Sequence, residues 1–205
     1  MLTKLNICLI FFLNPVFLFC QKQDVLYYFD IVYKNAKKTY FGNQEPEFLS
    51  KDLDNQYLKV KSRLGTIQFM TWQSKHSENV VIVEIIEKCS YVCAQRVNVM
   101  VYNGQNFSEC KKYVFPLEDI ESAVNYYLPY IAKQFDYYEF WYEYIPSTRG
   151  FTVGYRVNIH EEFKMLPLVE IQFDGDIFVV SKYYDPPPYL EFPANKKRFQ
   201  PKESK

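Results

Sequence analysis

Two apolar runs within residues 80–115 face each other across Cys89, Ser90, Tyr91, Val92 and Cys93, and the rest of the chain is organised around them. A turn at Ser90, Tyr91 and Val92 sets Cys89 opposite Cys93, Ile85 opposite Val97, Val83 opposite Val99 and Val81 opposite Val101, all on one face. The other face carries Val80, Ile82 and Met100 with Glu84, Arg96 and Asn98, a mixture suited to water or to a second layer. Asn103 and Gly104 then turn the chain into a further strand ending near Phe115.

Upstream, Val25, Phe29, Val32, Ala36 and Tyr40 recur at helical spacing between a candidate N-cap, Asp24, and a terminating Gly42, which predicts one helix. Residues 43–56 are polar, contain Pro46 and read as a loop. Strands are expected at 57–63 and 65–73, the second alternating Ile67, Phe69 and Thr71 against Gln68, Met70 and Trp72. Pro116 opens a second helix, with Glu118 and Asp119 in its first turn and Leu117, Ile120, Val124, Leu128 and Ile131 on one side. Pro129 should kink that helix or end it early.

Four strands follow, at 136–145, 151–158, 168–173 and 176–183. The last two meet at Asp174 and Gly175, with Ile171 opposite Phe178 and Val169 opposite Val180. The pattern specifies an α+β chain: antiparallel, mostly meandering β-sheet or sheets with two helices packed on one face. Its order of helix, strands, helix, strands suggests two halves, although no self-similarity of sequence accompanies it.

The ends differ from the rest. Residues 1–20 carry one basic residue, Lys4, then an apolar run broken by Asn14 and Pro15, the outline of a secretory signal peptide cleaved after Cys20. The rival reading anchors the protein by a lipid on Cys20, since Leu18-Phe19-Cys20 loosely matches a bacterial lipoprotein motif, though with a bulky Phe19 where a small residue is preferred. Residues 21–185 are then one α+β domain, and 186–205 a Pro-rich then basic tail, extended and disordered. After signal removal no apolar run is long enough for a transmembrane span, so the expected location is secreted or periplasmic.

Charge and cysteine use narrow the chemistry. Removing residues 1–20 takes away Lys4 and no acid, leaving 23 basic against 24 acidic residues, without the basic excess of a nucleic-acid binder. Cys89 and Cys93, as facing residues, satisfy the spacing of a disulfide. Cys110 falls about 13 Å along the strand direction from Cys93, too far to join them. A zinc site would need a fourth ligand that the Cys89-x-x-x-Cys93 spacing does not supply.

Nothing in the chain matches a catalytic motif. Neither His76 nor His160 stands near a glycine-framed nucleophile, and His160-Glu161-Glu162 lacks the second histidine of a zinc protease, which leaves it as a solvated turn between strands. With 6 glycines and no glycine-rich loop, no phosphate cradle is expected, and no cofactor. Glu139 and Glu143 point the same way on one strand, but at about 13 Å by strand rise they exceed the roughly 5–9.5 Å of paired glycosidase carboxylates.

The outlying feature is aromatic: 19 Tyr and 18 Phe, densest in residues 136–145. Alternation sorts that strand into Tyr138, Phe140, Tyr142 and Tyr144 on one face and Tyr137, Glu139, Trp141 and Glu143 on the other. One face fills a core. The other, if it carries Trp141 outward, makes Tyr137, Glu139, Trp141 and Glu143 the candidate ligand-binding residues, with a protein or glycan partner. The functional expectation is an exported, non-catalytic binding or interaction protein, the alternative a secreted or periplasmic hydrolase with an unrecognised site. Asn106-Phe107-Ser108 also matches an N-glycosylation acceptor, relevant only in a eukaryotic secretory pathway.

Overall fold

A computed structural model describes residues 23–90, 93–109, 115–185, 190–192 and 199. Residues 1–22, which include the expected signal peptide and Cys20, the turn residues Tyr91 and Val92, and Cys110 lie outside the described residues, as does most of the tail.

Two antiparallel meanders form the frame. Sheet A joins β1 (Glu47–Asp52), β2 (Tyr57–Ser62), β3 (Gly65–Gln73), β4 (Val80–Cys89), β5 (Cys93–Tyr102) and β6 (Phe107–Glu109) in chain order. Sheet B joins β7 (Tyr138–Ile145), β8 (Gly150–Ile159), β9 (Glu162–Phe173) and β10 (Phe178–Tyr183), again in chain order. The class is the α+β meander that the pattern specifies. The central hairpin has the expected register: Cys89 pairs with Cys93, Ile85 with Val97, Val83 with Val99 and Val81 with Val101.

Among the described residues the helices are three, and they lie on different faces of the sheets. α1 (Val25–Tyr33) starts where Asp24 accepts the Tyr27 N–H at 3.1 Å. It is the first part of the single helix expected to reach Tyr40, and the chain breaks at residues 34–36 before α2 (Lys37–Phe41). The break folds Tyr40 and Phe41 back over Tyr33 and Phe29, with ring centroids 5.1 Å apart for Tyr33 and Tyr40 and 5.9 Å for Phe29 and Phe41. These two helices cover the face of sheet A formed by Leu58, Val60, Ile67, Phe69, Ile82 and Ile86.

The opposite face of sheet A, with Trp72, Val83 and Val99, shares a core with Tyr142, Phe151, Ile171 and Phe178 of sheet B. α3 (Leu117–Gln134) adds Ile120 and Ala123 to that core and continues over sheet B through Tyr127 and Ile131. Pro129 does not end this helix, which runs on to Gln134. Strand β4 is therefore covered on both sides, and Val80 to Ile86 are each no more than 5% exposed.

Several expectations need correction. The stretch read as a loop contains β1, an edge strand with only Phe48 and Asp52 half-buried, so it lacks the alternation that marks a strand. Strand β9 begins at Glu162, six residues before the expected Leu168, and runs through Pro167. A bulge accommodates it: Val153 pairs with Val169 and Gly154 with Pro167, leaving Leu168 as the extra residue. Gly154 is required there, since a Cβ would stand 1.9 Å from the Leu166 carbonyl oxygen.

In the last hairpin Phe178 pairs with Phe173 and Val180 with Ile171, two residues from the expected register. The loop is longer because the Asp174 carboxylate accepts the N–H groups of Asp176 and Ile177 at 2.9 and 3.1 Å. A slip of two keeps Phe178 and Val180 on their expected face, and a bulge between Val180 and Lys182 then turns Tyr183 toward the same core. Of the tail, the described residues make contacts with α3: Leu190 is buried, Phe192 packs on Tyr126, Tyr127 and Tyr130, and the Phe199 N–H donates to the Tyr127 hydroxyl at 3.2 Å.

Candidate functional site

Strand β7 is an edge strand of sheet B, and its two faces separate as alternation requires. Tyr142 and Tyr144 are buried in the shared core, where desolvation pushes both phenols up to about 12. Trp141, Glu139 and Tyr137 are half-buried on the opposite face, and Glu143 is exposed. The candidate residues thus lie on the face turned away from that core.

Register adds residues that no linear reading connects. Glu139 stands opposite Arg156 across the β7/β8 pair, and Asn158 of β8 stands opposite Phe163 of β9. The Arg156 guanidinium lies over the Trp141 ring at 4.7 Å and over the Phe163 ring at 4.4 Å. Tyr137 packs edge-on against Phe163 at 5.4 Å and donates its hydroxyl hydrogen to Glu139 Oε2 at 2.8 Å. Burial and the Glu139 carboxylate raise the Tyr137 pKa, while Arg156 and the Cys93 N–H, which donates to the phenol oxygen, oppose the rise. Phe163 remains 51% exposed. The second oxygen of Glu139, Oε1, is buried without a hydrogen-bond partner among the described residues.

The tip of the central hairpin borders this patch. The Tyr142 N–H donates to Gln95 Oε1 at 2.9 Å, and an Arg156 Nη1 lies 3.9 Å from Glu87 Oε1. Cys89 and Cys93 are joined as a disulfide with their Cα atoms 4.0 Å apart, which closes the tip beside Tyr137. The Glu87 carboxylate and the two sulfurs lie within 4.8 Å of one another. A cation could use that spacing only with both cysteines as thiolates, and here the sulfurs are bonded to each other.

No family model, no curated protein and no solved structure matches the chain.

One constellation contains the residue types of nucleophilic catalysis without their order. The Ser74 hydroxyl donates to Asp176 Oδ1, and His76 Nε2 lies 3.6 Å from Asp176 Oδ2. In a triad the histidine stands between nucleophile and acid, whereas here the acid stands between serine and histidine. Ser74 Oγ also accepts the N–H groups of His76 and Ser77, each at 3.2 Å. The group works as a clip fastening the β3–β4 loop to the β9–β10 turn. His160, the other histidine, sits with Glu161 in the two-residue turn between β8 and β9, as its sequence context suggests.

Proposed function

We propose that this is an exported, non-catalytic interaction protein that receives a protein partner on the outer face of sheet B. The observation that carries the reading is the Arg156 guanidinium held over Trp141 and Phe163 on the face turned away from the shared core. Trp, Tyr and Arg are the residue types in which binding energy concentrates, and stacking fixes them before a partner arrives. Exposed Glu143, on the same face, supplies an acceptor for a donor on that partner. Export rests on the basic-then-apolar composition of residues 1–20.

The test is affinity purification from the extracytoplasmic fraction of the source cells, with wild type, Trp141→Ala and Arg156→Ala as baits. A partner retained by wild type and weakened at least about 30-fold by either variant is the expected result, since central anchors cost about 2 kcal/mol or more. A partner held equally by all three baits overturns the reading, and a glycan-array signal lost in both variants would replace the protein partner by a glycan. Mass spectrometry of the exported chain should find Gln21 at its N-terminus. A diacylglyceryl-modified Cys20 would instead make it a membrane-anchored protein.

A further inference from the structure

We propose that the tip of the central hairpin, once the Cys89–Cys93 disulfide is reduced, binds one zinc-class cation through both thiolates and the Glu87 carboxylate. Among the described residues this is the one group of three His, Cys, Asp or Glu side chains whose ligand atoms lie within 4.8 Å of one another. Strand pairing brings them together. Glu87 and Cys89 are two residues apart on β4 and so share a face, and Cys93 of β5 stands directly opposite Cys89. The pairs Lys88 with Ala94 and Glu87 with Gln95 hold that arrangement below the tip. Cys89 and Cys93, with Cα atoms 4.0 Å apart, stay neighbours through this pairing when the bond between them opens.

The spacing suits a tetrahedral ion. Glu87 Oε1 lies 3.4 Å from Cys89 Sγ. Zinc ligands at about 2.0–2.2 Å for oxygen and about 2.3 Å for sulfur stand about 3.5–3.7 Å apart across a tetrahedral edge, so this pair needs little movement to share an ion. Two thiolates select a soft or borderline cation over calcium or magnesium, and a carboxylate fits zinc as the third ligand. Cys89 is exposed while Cys93 and Glu87 are half-buried, which leaves the fourth position to water.

Charge balances as well. Two thiolates and one carboxylate carry three negative charges against two positive ones on the cation, and the Arg156 guanidinium, 3.9 Å from Glu87 Oε1, supplies the remaining positive charge. Arg156 is itself held over Trp141 and Phe163, so it orients the carboxylate from outside the ligand set. Disulfide and ion exclude each other. A dithiol reductant gives two electrons and two protons to the Cys89–Cys93 bond, which opens to two thiols while the reductant closes its own disulfide. The cation then displaces both thiol protons to solvent and takes the thiolates. The tip therefore holds a disulfide in an oxidising compartment and an ion where a reductant reaches it. None of this requires a partner on the outer face of sheet B.

The test compares the mature chain in its disulfide form with the same chain reduced by a phosphine and then freed of it. Both are titrated with zinc by calorimetry and with cadmium by thiolate-to-metal charge-transfer absorption. One cation per reduced chain, bound by two thiolates, is expected, with binding at least about 100-fold weaker in the disulfide form. Glu87→Gln should weaken binding by the reduced chain at least about tenfold, and Cys89→Ser, which still contains Cys110, should abolish the two-thiolate absorption. Equal binding by the oxidised and reduced forms would place the ion on surface carboxylates and overturn the proposal. So would no zinc uptake by the reduced chain up to about 100 μM, or unchanged affinity in Glu87→Gln or Cys89→Ser. Loss of the strand dichroism on reduction, not restored by zinc, overturns it too, since the sheet register is what holds the ligands. If Glu87→Gln does not fold, the two redox forms of wild type and Cys89→Ser decide the matter.

Discussion

Glu84 stands midway along β4 on the face covered by α1, 5% exposed, and it is the one acid in the run of buried residues at the centre of sheet A. The Tyr33 hydroxyl donates to Oε1, and Asn98 Nδ2 donates to Oε2 at 2.5 Å. Burial raises its pKa above the ordinary carboxylate range, and the Asn98 bond and the Arg96 charge only partly offset that. A carboxyl whose folded-state pKa is raised binds its proton more tightly in the native chain. Its contribution to stability is therefore complete below the ordinary carboxylate range and is lost as pH rises through the raised value. Urea unfolding between about pH 4 and 8 should show wild-type stability falling over that interval, and Glu84→Gln should remove that part of the slope. Identical slopes in the two proteins would mean that Glu84 does not titrate differently in the folded state. The acid itself was visible in the sequence, where with Arg96 and Asn98 it suited this face of the hairpin to water or to a second layer, and the second layer is what covers it. Its partner Tyr33 lies 51 positions upstream on another element, so nothing local reveals that the charge is covered. The same limit hid Arg156 and Phe163. Trp141 is identifiable as a surface candidate from strand alternation alone, but the cation over it comes from the neighbouring strand and the second ring from the strand beyond.

The β8–β9 hairpin shows how element boundaries escape a linear reading. Its two-residue turn puts both His160 and Glu161 in left-handed conformations, with φ of 51° and 68°, the pattern of a type I′ turn that ordinarily calls for Asn-Gly. Each left-handed residue with a side chain costs roughly 1–2 kcal/mol, and the pairing of Ile159 with Glu162 on either side holds the turn in place. His160→Asn with Glu161→Gly should therefore stabilise the protein by about 1–2 kcal/mol net of the entropy that glycine adds to the unfolded chain. The expected observation is a higher urea midpoint at unchanged slope. A lower midpoint would show that the turn's side chains contribute more than its backbone strain costs. Because neither turn residue is Gly or Asn, the sequence marks the turn only by its polarity. Pro167 then makes β9 look as if it started late. Where register is set by facing apolar pairs, as in the central hairpin, the reading holds residue by residue. It fails where a device outside the alternation shifts the count: the bulge opposite Gly154 and the Asp174 side-chain bonds in the final turn.

Across the whole molecule, sheet A is a middle layer belonging to two cores. Phe29 of α1 is 1% exposed and packs on Phe69, while Phe178 of β10 is 1% exposed and packs on Trp72 from the other side. The strands between them are continuous, and β4 contributes alternate side chains to each core, so a void on one face loosens the layer that the other face packs against. Phe29→Ala and Phe178→Ala should each cost about 3–5 kcal/mol. For a chain of this size that lowers the melting temperature by roughly 6–20 °C. The decisive feature is the number of transitions. In both variants, far-ultraviolet circular dichroism, which follows all strands, and tryptophan fluorescence, which follows Trp72 and Trp141, should melt together in one step. The contrary outcome is specific. If Phe29→Ala gives an early step in the dichroism while the fluorescence transition stays at the wild-type temperature, the helical layer unfolds alone and the two cores are energetically separate. Coincident melting in Phe29→Ala and Phe178→Ala would instead show that β4 transmits the loss across the sheet, as expected of a strand with no exposed face over most of its length.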